Sequence, residues 1–83
     1  MYKVIISNAI IKDLRKIDKV NQRLIYNKII DLEQGIFVQD KSLKGKHKGK
    51  FRKRCGNYRI IYLKEGDILL ITIIRVAHRK EVY

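Results

Sequence analysis

Three arginines, Arg52, Arg54 and Arg59, are set into the stretch FRKRCGNYRIIY, residues 51 to 62. A guanidinium is protonated at any practical pH and presents a planar fork that matches phosphate or carboxylate oxygens, so such a group binds anions. The stretch reads as a strand, a two-residue turn at Gly56-Asn57 and a second strand. In that register Cys55 faces Tyr58 and Arg54 faces Arg59, with Arg52 two positions along on the same side. Like charges directly opposite on a sheet are unfavourable by roughly 0.2–1 kcal/mol. At about 5 Å and an effective dielectric near 20 the bare repulsion is about 3 kcal/mol before solvent and counterions relax it. Compensation within the fold would need carboxylates, and none lies between Lys41 and Lys64. A polyanion would relieve the repulsion, which marks the arginines as a functional cluster. The opposite side of the hairpin, Phe51, Lys53 and Cys55 against Tyr62, Ile60 and Tyr58, is mostly apolar and is the expected floor for other elements. Lys53 is expected to snorkel at its edge.

The charge distribution supports that reading. The chain carries a net charge of +12 over 83 residues. Residues 1–40 contribute seven Lys/Arg against five Asp/Glu, and residues 65–83 contribute three of each. The intervening segment, Lys41 to Lys64, holds ten basic side chains and no acidic one. A one-sided cationic field attracts and steers polyanions, and Lys41, Lys44, Lys46, Lys48, Lys50 and Lys53 are its candidate polyanion-binding lysines. No apolar run is long enough for a membrane span, and the start MYKVIISN lacks the apolar core of a signal peptide. A single cysteine, Cys55, fits a reducing, cytoplasmic setting. Cys55, His47 and His78 lack the paired spacing of tetrahedral zinc sites, so no metal or other cofactor is expected.

The elements that must position these residues follow from periodicity. YKVII at residues 2–6 reads as a strand. Ser7 or Asn8 caps a helix in which Ile10, Leu14 and Ile17 form one stripe. Asp18 to Asn21 breaks the pattern, and a second helix places Ile25, Ile29, Leu32 and Ile36 on one face, with Gly35 ending it. A lysine-rich connection leads into the hairpin. Ile68 to Ile74, apolar apart from Thr72, is expected to be a central strand buried on both faces. The expected architecture is one α+β domain over residues 1–83. Two N-terminal helices pack on one face of a small, mostly antiparallel four-stranded sheet in the order β-α-α-β-β-β. A DNA-reading helix-turn-helix is disfavoured because the positive charge lies outside the helices.

SLKGKHKGK before the hairpin, Gly-Asn-Tyr-Arg at its turn and the C-terminal RVAHRKEVY together resemble the RelE/ParE superfamily of toxins from type II toxin–antitoxin systems, over essentially the whole chain. The C-terminal pattern is more like RelE-type messenger-RNA endonucleases than ParE-type gyrase inhibitors. The resemblance implies an endoribonuclease that enters the ribosomal A site and cleaves mRNA without a metal, by attack of a ribose 2′-OH on the adjacent phosphate. It implies catalytic roles for Arg52, Arg54, Arg59, Arg79 and Tyr83. Relatives carry lysines where this chain has Arg52 and Arg54, so that alignment can slip to Lys53 or Lys50. His78 either transfers a proton or packs at the strand end. The implied partners are the ribosome, mRNA and an acidic, RelB-like antitoxin, with a toxin that is monomeric when free. The alternatives are a ParE-like inhibitor of DNA gyrase and a non-catalytic basic RNA- or DNA-binding module.

Overall fold

A computed structural model describes residues 1–45 and 49–81. Its elements are β1 (Lys3–Ile5), α1 (Asn8–Arg15), α2 (Lys19–Glu33), β2 (Lys41–Ser42), β3 (Lys50–Cys55), β4 (Tyr58–Glu65) and β5 (Leu70–His78). The strands form one sheet in the order β1-β5-β4-β3-β2, with β1 parallel to β5 and the other neighbours antiparallel. The α+β architecture is therefore as expected, with a fifth strand. The two-residue β2 pairs Lys41 with Arg52 and Ser42 with Phe51. It is too short and too polar to leave a periodic signal. No helix among the described residues is long and apolar enough to cross a membrane.

Local chemistry sets the helix ends. Ser7 Oγ accepts from the Ile10 amide at the start of α1, and Asp18 accepts from the Asn21 amide at the start of α2. Each satisfies a backbone donor that the first turn leaves without a partner. The corner between the helices is tied by Gln22, whose side-chain amide donates to the carbonyls of Leu14 at 2.7 Å and Ile17 at 2.8 Å. Gly35 ends the α2 segment with φ +75°. The Ile36 amide then reaches back to the Asp31 carbonyl, the closing bond of a Schellman motif. The chain has left the helix by then, so Ile36 is exposed rather than part of the α2 stripe.

Both helices cover one face of the sheet. Ile10 and Leu14 of α1 and Ile25, Ile29 and Leu32 of α2 pack with Cys55, Ile60, Tyr62, Ile71, Ile73 and Val76 of the strands. The hairpin register is the expected one, with Phe51 opposite Tyr62, Lys53 opposite Ile60 and Arg54 opposite Arg59. Gly56 takes φ +58° and Asn57 stays negative, the φ pattern of a type II′ turn. The last strand departs from expectation. It starts at Leu70 and runs through His78, while Ile68 lies exposed in the preceding turn. Ile61 pairs with Arg75 and Tyr62 with Ile73, which leaves Ile74 as an unopposed bulge residue, 40% exposed. The bulge reverses the alternation of β5: Ile71 and Ile73 face the helices before it, and Val76 and His78 after it.

The second departure is Lys53. It does not snorkel to an edge; the residue is 4% exposed. Its ammonium donates to Asp40 Oδ1 and to the Ile36 carbonyl, each at 3.1 Å, and the Tyr62 hydroxyl donates to Asp40 Oδ2. Burial, reinforced by the bond to Asp40 and its charge, pushes the Tyr62 phenol above its ordinary value and keeps it a donor. Removing one member of a buried pair strands the other charge, at a cost of about 3–5 kcal/mol. Asp40→Ala should therefore lower the urea-unfolding free energy by that order. Adding Lys53→Met should recover a large part of it, and an Asp40→Ala variant as stable as wild type would show that the pair carries no such weight.

Candidate nucleic-acid interface

Strand alternation places Lys50, Arg52 and Arg54 of β3 on the sheet face that the helices leave open. Register adds Arg59 of β4 opposite Arg54 and Lys41 of β2 opposite Arg52. Arg79 follows the end of β5, and its amide donates to the Asn57 carbonyl at 2.8 Å, pinning it beside the hairpin turn. Arg59 is held by its own strand: one guanidinium nitrogen donates to the Gly56 carbonyl at 3.0 Å and to the Tyr58 carbonyl at 2.9 Å. Partial burial, then the fields of Arg54, Arg52 and Arg79, hold the Arg59 guanidinium below its ordinary value, although it remains protonated at neutral pH. Three arginines named from sequence thus act electrostatically on a fourth, Arg59. Among the described residues, no ion pair involves Arg54, Arg59 or Arg79.

Ile61 lies on this open face yet is only 7% exposed. Its cross-strand neighbours are Arg52 and Arg75, whose aliphatic stems are placed to cover it. Arg75 also donates to the Glu81 carbonyl at 2.9 Å. Beside β3 a cavity of about 620 Å³ is lined by Arg52, Arg54, Arg59, Lys41 and Lys28, with the Asp40–Lys53 pair in its wall.

Two expectations are corrected. The Lys53 ammonium is committed to Asp40 inside the protein rather than held out to solvent. His78 pairs with Tyr58, on the helix face, opposite to Arg54 and Arg59. Its ring meets the Tyr58 ring edge-on at 5.4 Å, and its Nδ1 accepts from the Lys80 amide at 3.3 Å. The β5 bulge puts it there, away from the arginines. Lys44 lies exposed at the end of the segment after β2. Lys46, His47, Lys48 and Tyr83 lie outside the described residues.

Sequence reasoning missed Asp40 and Lys28. For Asp40 a signal existed. The hairpin register turns Lys53 inward, a buried ammonium demands a carboxylate, and Asp40 is the last acid before the acid-free run. Lys28 sits among the polar residues of α2 and carries no local mark. Lys64 was likewise unremarked, although its ammonium lies 4.2 Å from the Phe37 ring centroid and 4.6 Å from that of Phe51.

A family profile described as the ParE toxin of type II toxin–antitoxin system, parDE, matches residues 4–83. The chain belongs to this family. The toxin is also similar to solved structures. A chain of the Mycobacterium tuberculosis toxin–antitoxin complex RelBE2 superposes with a TM-score of 0.82 at 26% identity, over 94% of this chain and 98% of that one. For the RelB–RelE complex of Methanococcus jannaschii the TM-score is 0.73 at 29% identity, over 95% and 94%. The isolated Escherichia coli RelE toxin shares the fold alone, with a TM-score of 0.77 at 15% identity over 94% and 84%. No curated protein sequence matches. Profile and structures together place the toxin in the RelE/ParE superfamily of type II toxin–antitoxin toxins.

The clustering of like charges sets a checkable cost. Replacing Arg54 by Gln removes the charge opposite Arg59 and should stabilise the isolated toxin by roughly 0.2–1 kcal/mol at low salt. The gain should shrink as salt screens the pair. Urea unfolding at two ionic strengths measures both, and a destabilised variant at low salt would contradict the repulsion argument.

Proposed function

We propose that this toxin, acting as one domain over residues 1–83, is a ribosome-dependent endoribonuclease that cleaves mRNA in the A site and so inhibits translation. The observation carrying the reading is the convergence of Arg54, Arg59 and Arg79 on a sheet face that neither helix covers. The likeness to RelE-containing complexes supports it. In the proposed reaction a ribose 2′-oxygen attacks the adjacent phosphorus, and the bond to the 5′-oxygen breaks. A 2′,3′-cyclic phosphate and a free 5′-OH result. The nucleophile and leaving oxygen must lie in line, a positioning effect. Negative charge builds in the transition state, and fixed guanidinium groups stabilise it more than they stabilise the ground state. Arg59 and Arg54 are assigned to the phosphoryl oxygens, Arg52 to the adjoining backbone and Arg79 to the leaving oxygen. Tyr83 is assigned to stacking on a base, an interaction worth roughly 1–3 kcal/mol. His78 lies on the other face and takes no part in these assignments. Lys41, Lys44, Lys46, Lys48 and Lys50 are assigned to RNA backbone. The toxin is proposed to act in the cytoplasm, to be monomeric when free, and to be neutralised by an acidic RelB-like antitoxin. Two of the similar structures are complexes of RelE with RelB.

The second reading, a ParE-type inhibitor of DNA gyrase, rests on the description of the matching family profile. The two separate by 5′-end mapping of an mRNA with and without translating ribosomes, beside a gyrase supercoiling assay. Ribosome-dependent cuts that fall about 100–1,000-fold in rate in Arg59→Ala and Arg79→Ala support the nuclease. Intact mRNA with blocked supercoiling defeats it. His78→Ala, by contrast, should cleave within a few-fold of wild type, and a loss comparable to that of Arg59→Ala would return His78 to the chemistry.

A further inference from the structure

The cavity beside β3 reaches past the arginine face. Pairing of β2 with β3 covers only Phe51 and Arg52, so among the described strands the outer edge of Lys53–Cys55 has no ladder partner. The cavity opens at that edge and draws its lining from both sides of it. Arg54 and Arg59 enter from the open face, and Lys28 enters from α2, which packs on the other face. Asp40 is the acid of the lining, and its two oxygens are engaged by Lys53 and Tyr62, so it is already matched by cationic and donor groups. Lys28 has a partly exposed carboxylate neighbour, Asp31 at 4.0 Å, a pair of the weak class that a stronger anion displaces.

A lone carboxylate or phosphate held by Arg54 and Arg59 leaves the helix-side cation unused, whereas a chain of phosphates passing over the strand edge engages both. Among the described residues Val38 is the one apolar side chain in the lining, so the cavity offers little to an amphipathic peptide, whose affinity comes from apolar burial. We propose that this cavity is a second phosphate subsite, in which Lys28 holds the backbone phosphate of single-stranded RNA next to the one engaged by Arg54 and Arg59. The inference rests on the nuclease reading for the identity of its ligand.

The test is binding of a short single-stranded 2′-O-methyl oligoribonucleotide, followed by fluorescence anisotropy over a range of salt concentrations. The probe lacks a free 2′-OH and cannot be cut. For single strands each phosphate contact contributes about 0.7 to the slope of log affinity against log salt. Lys28→Gln should lower the slope by about that amount and weaken binding alike across sequences. Lys28→Arg should keep the slope, and Lys12→Gln, which removes the same charge from the exposed surface of α1, should leave it unchanged. An unchanged slope in Lys28→Gln overturns the proposal, as does an equal loss in Lys12→Gln or a wild type that does not bind the probe. A Lys28→Gln variant that keeps its RNA slope but loses binding to a polyglutamate peptide would make the cavity a protein-docking site instead. Ribosome-dependent cleavage by the wild type, read separately, distinguishes the two failures. Cleavage with no Lys28 effect defeats the subsite alone, and a Lys28-dependent slope without cleavage defeats the nuclease reading alone.

Discussion

An ammonium group in the interior of so small a protein is tolerable only when it is matched, and Asp40 matches that of Lys53. The pair does more than neutralise. Lys53 lies in the middle of β3, Tyr62 lies in β4 and Asp40 ends the connection from α2, so one carboxylate ties the loop to two strands. The Ile36 carbonyl, the second acceptor for Lys53, anchors the start of the same connection. With both ends of residues 36–40 fastened, the chain enters β2 in register and Lys41 comes to rest opposite Arg52. Phe37, between the anchors, packs edge-on against Tyr2 and stacked against Tyr62, closing the core at that end. A buried pair of this kind adds little net stability over an apolar substitute, so its value here lies in geometry.

The arginine face depends on that geometry. Alternation alone sends Arg52 and Arg54 to the open side, but how closely they approach Arg59 and Arg79 depends on how rigidly β3 and the hairpin turn are held. Arg59 turns back onto the Gly56 and Tyr58 carbonyls, and the Arg79 backbone binds Asn57. The Arg59 guanidinium and the Arg79 backbone are therefore held before any ligand arrives, and the repulsion among the arginines is a cost the isolated toxin bears. A polyanion converts that cost into binding free energy, and for Arg59 without having to order the group first. Any polyanionic ligand seated on this face would relieve the same strain.

Much of the frame was legible because its signals are local. The helix caps at Ser7 and Asp18, the apolar stripes of α1 and α2, the stop at Gly35 and the register about Gly56-Asn57 each depend on residues a few positions apart. From that register the arginine side of the hairpin and its apolar side follow directly. What failed did so for identifiable reasons. Two residues of β2 have no period to detect. A bulge at Ile74 depends on how β5 lies against β4, and a run of apolar residues is compatible with either phase of the strand.

Those failures divide what the chain decides alone from what the fold decides. By itself the sequence determined that two amphipathic helices cover one face of a hairpin-based sheet, and that an acid-free cationic segment crowds the other. Covalent spacing and charge composition are properties of the chain. Only the tertiary structure decided that Lys53 is spent on Asp40, that Lys28 joins the arginines around one cavity, and that His78 lies against Tyr58. Each of those outcomes is set by a contact between residues distant in sequence, or by one extra residue in a strand. A single bulge inverts the face of every side chain beyond it.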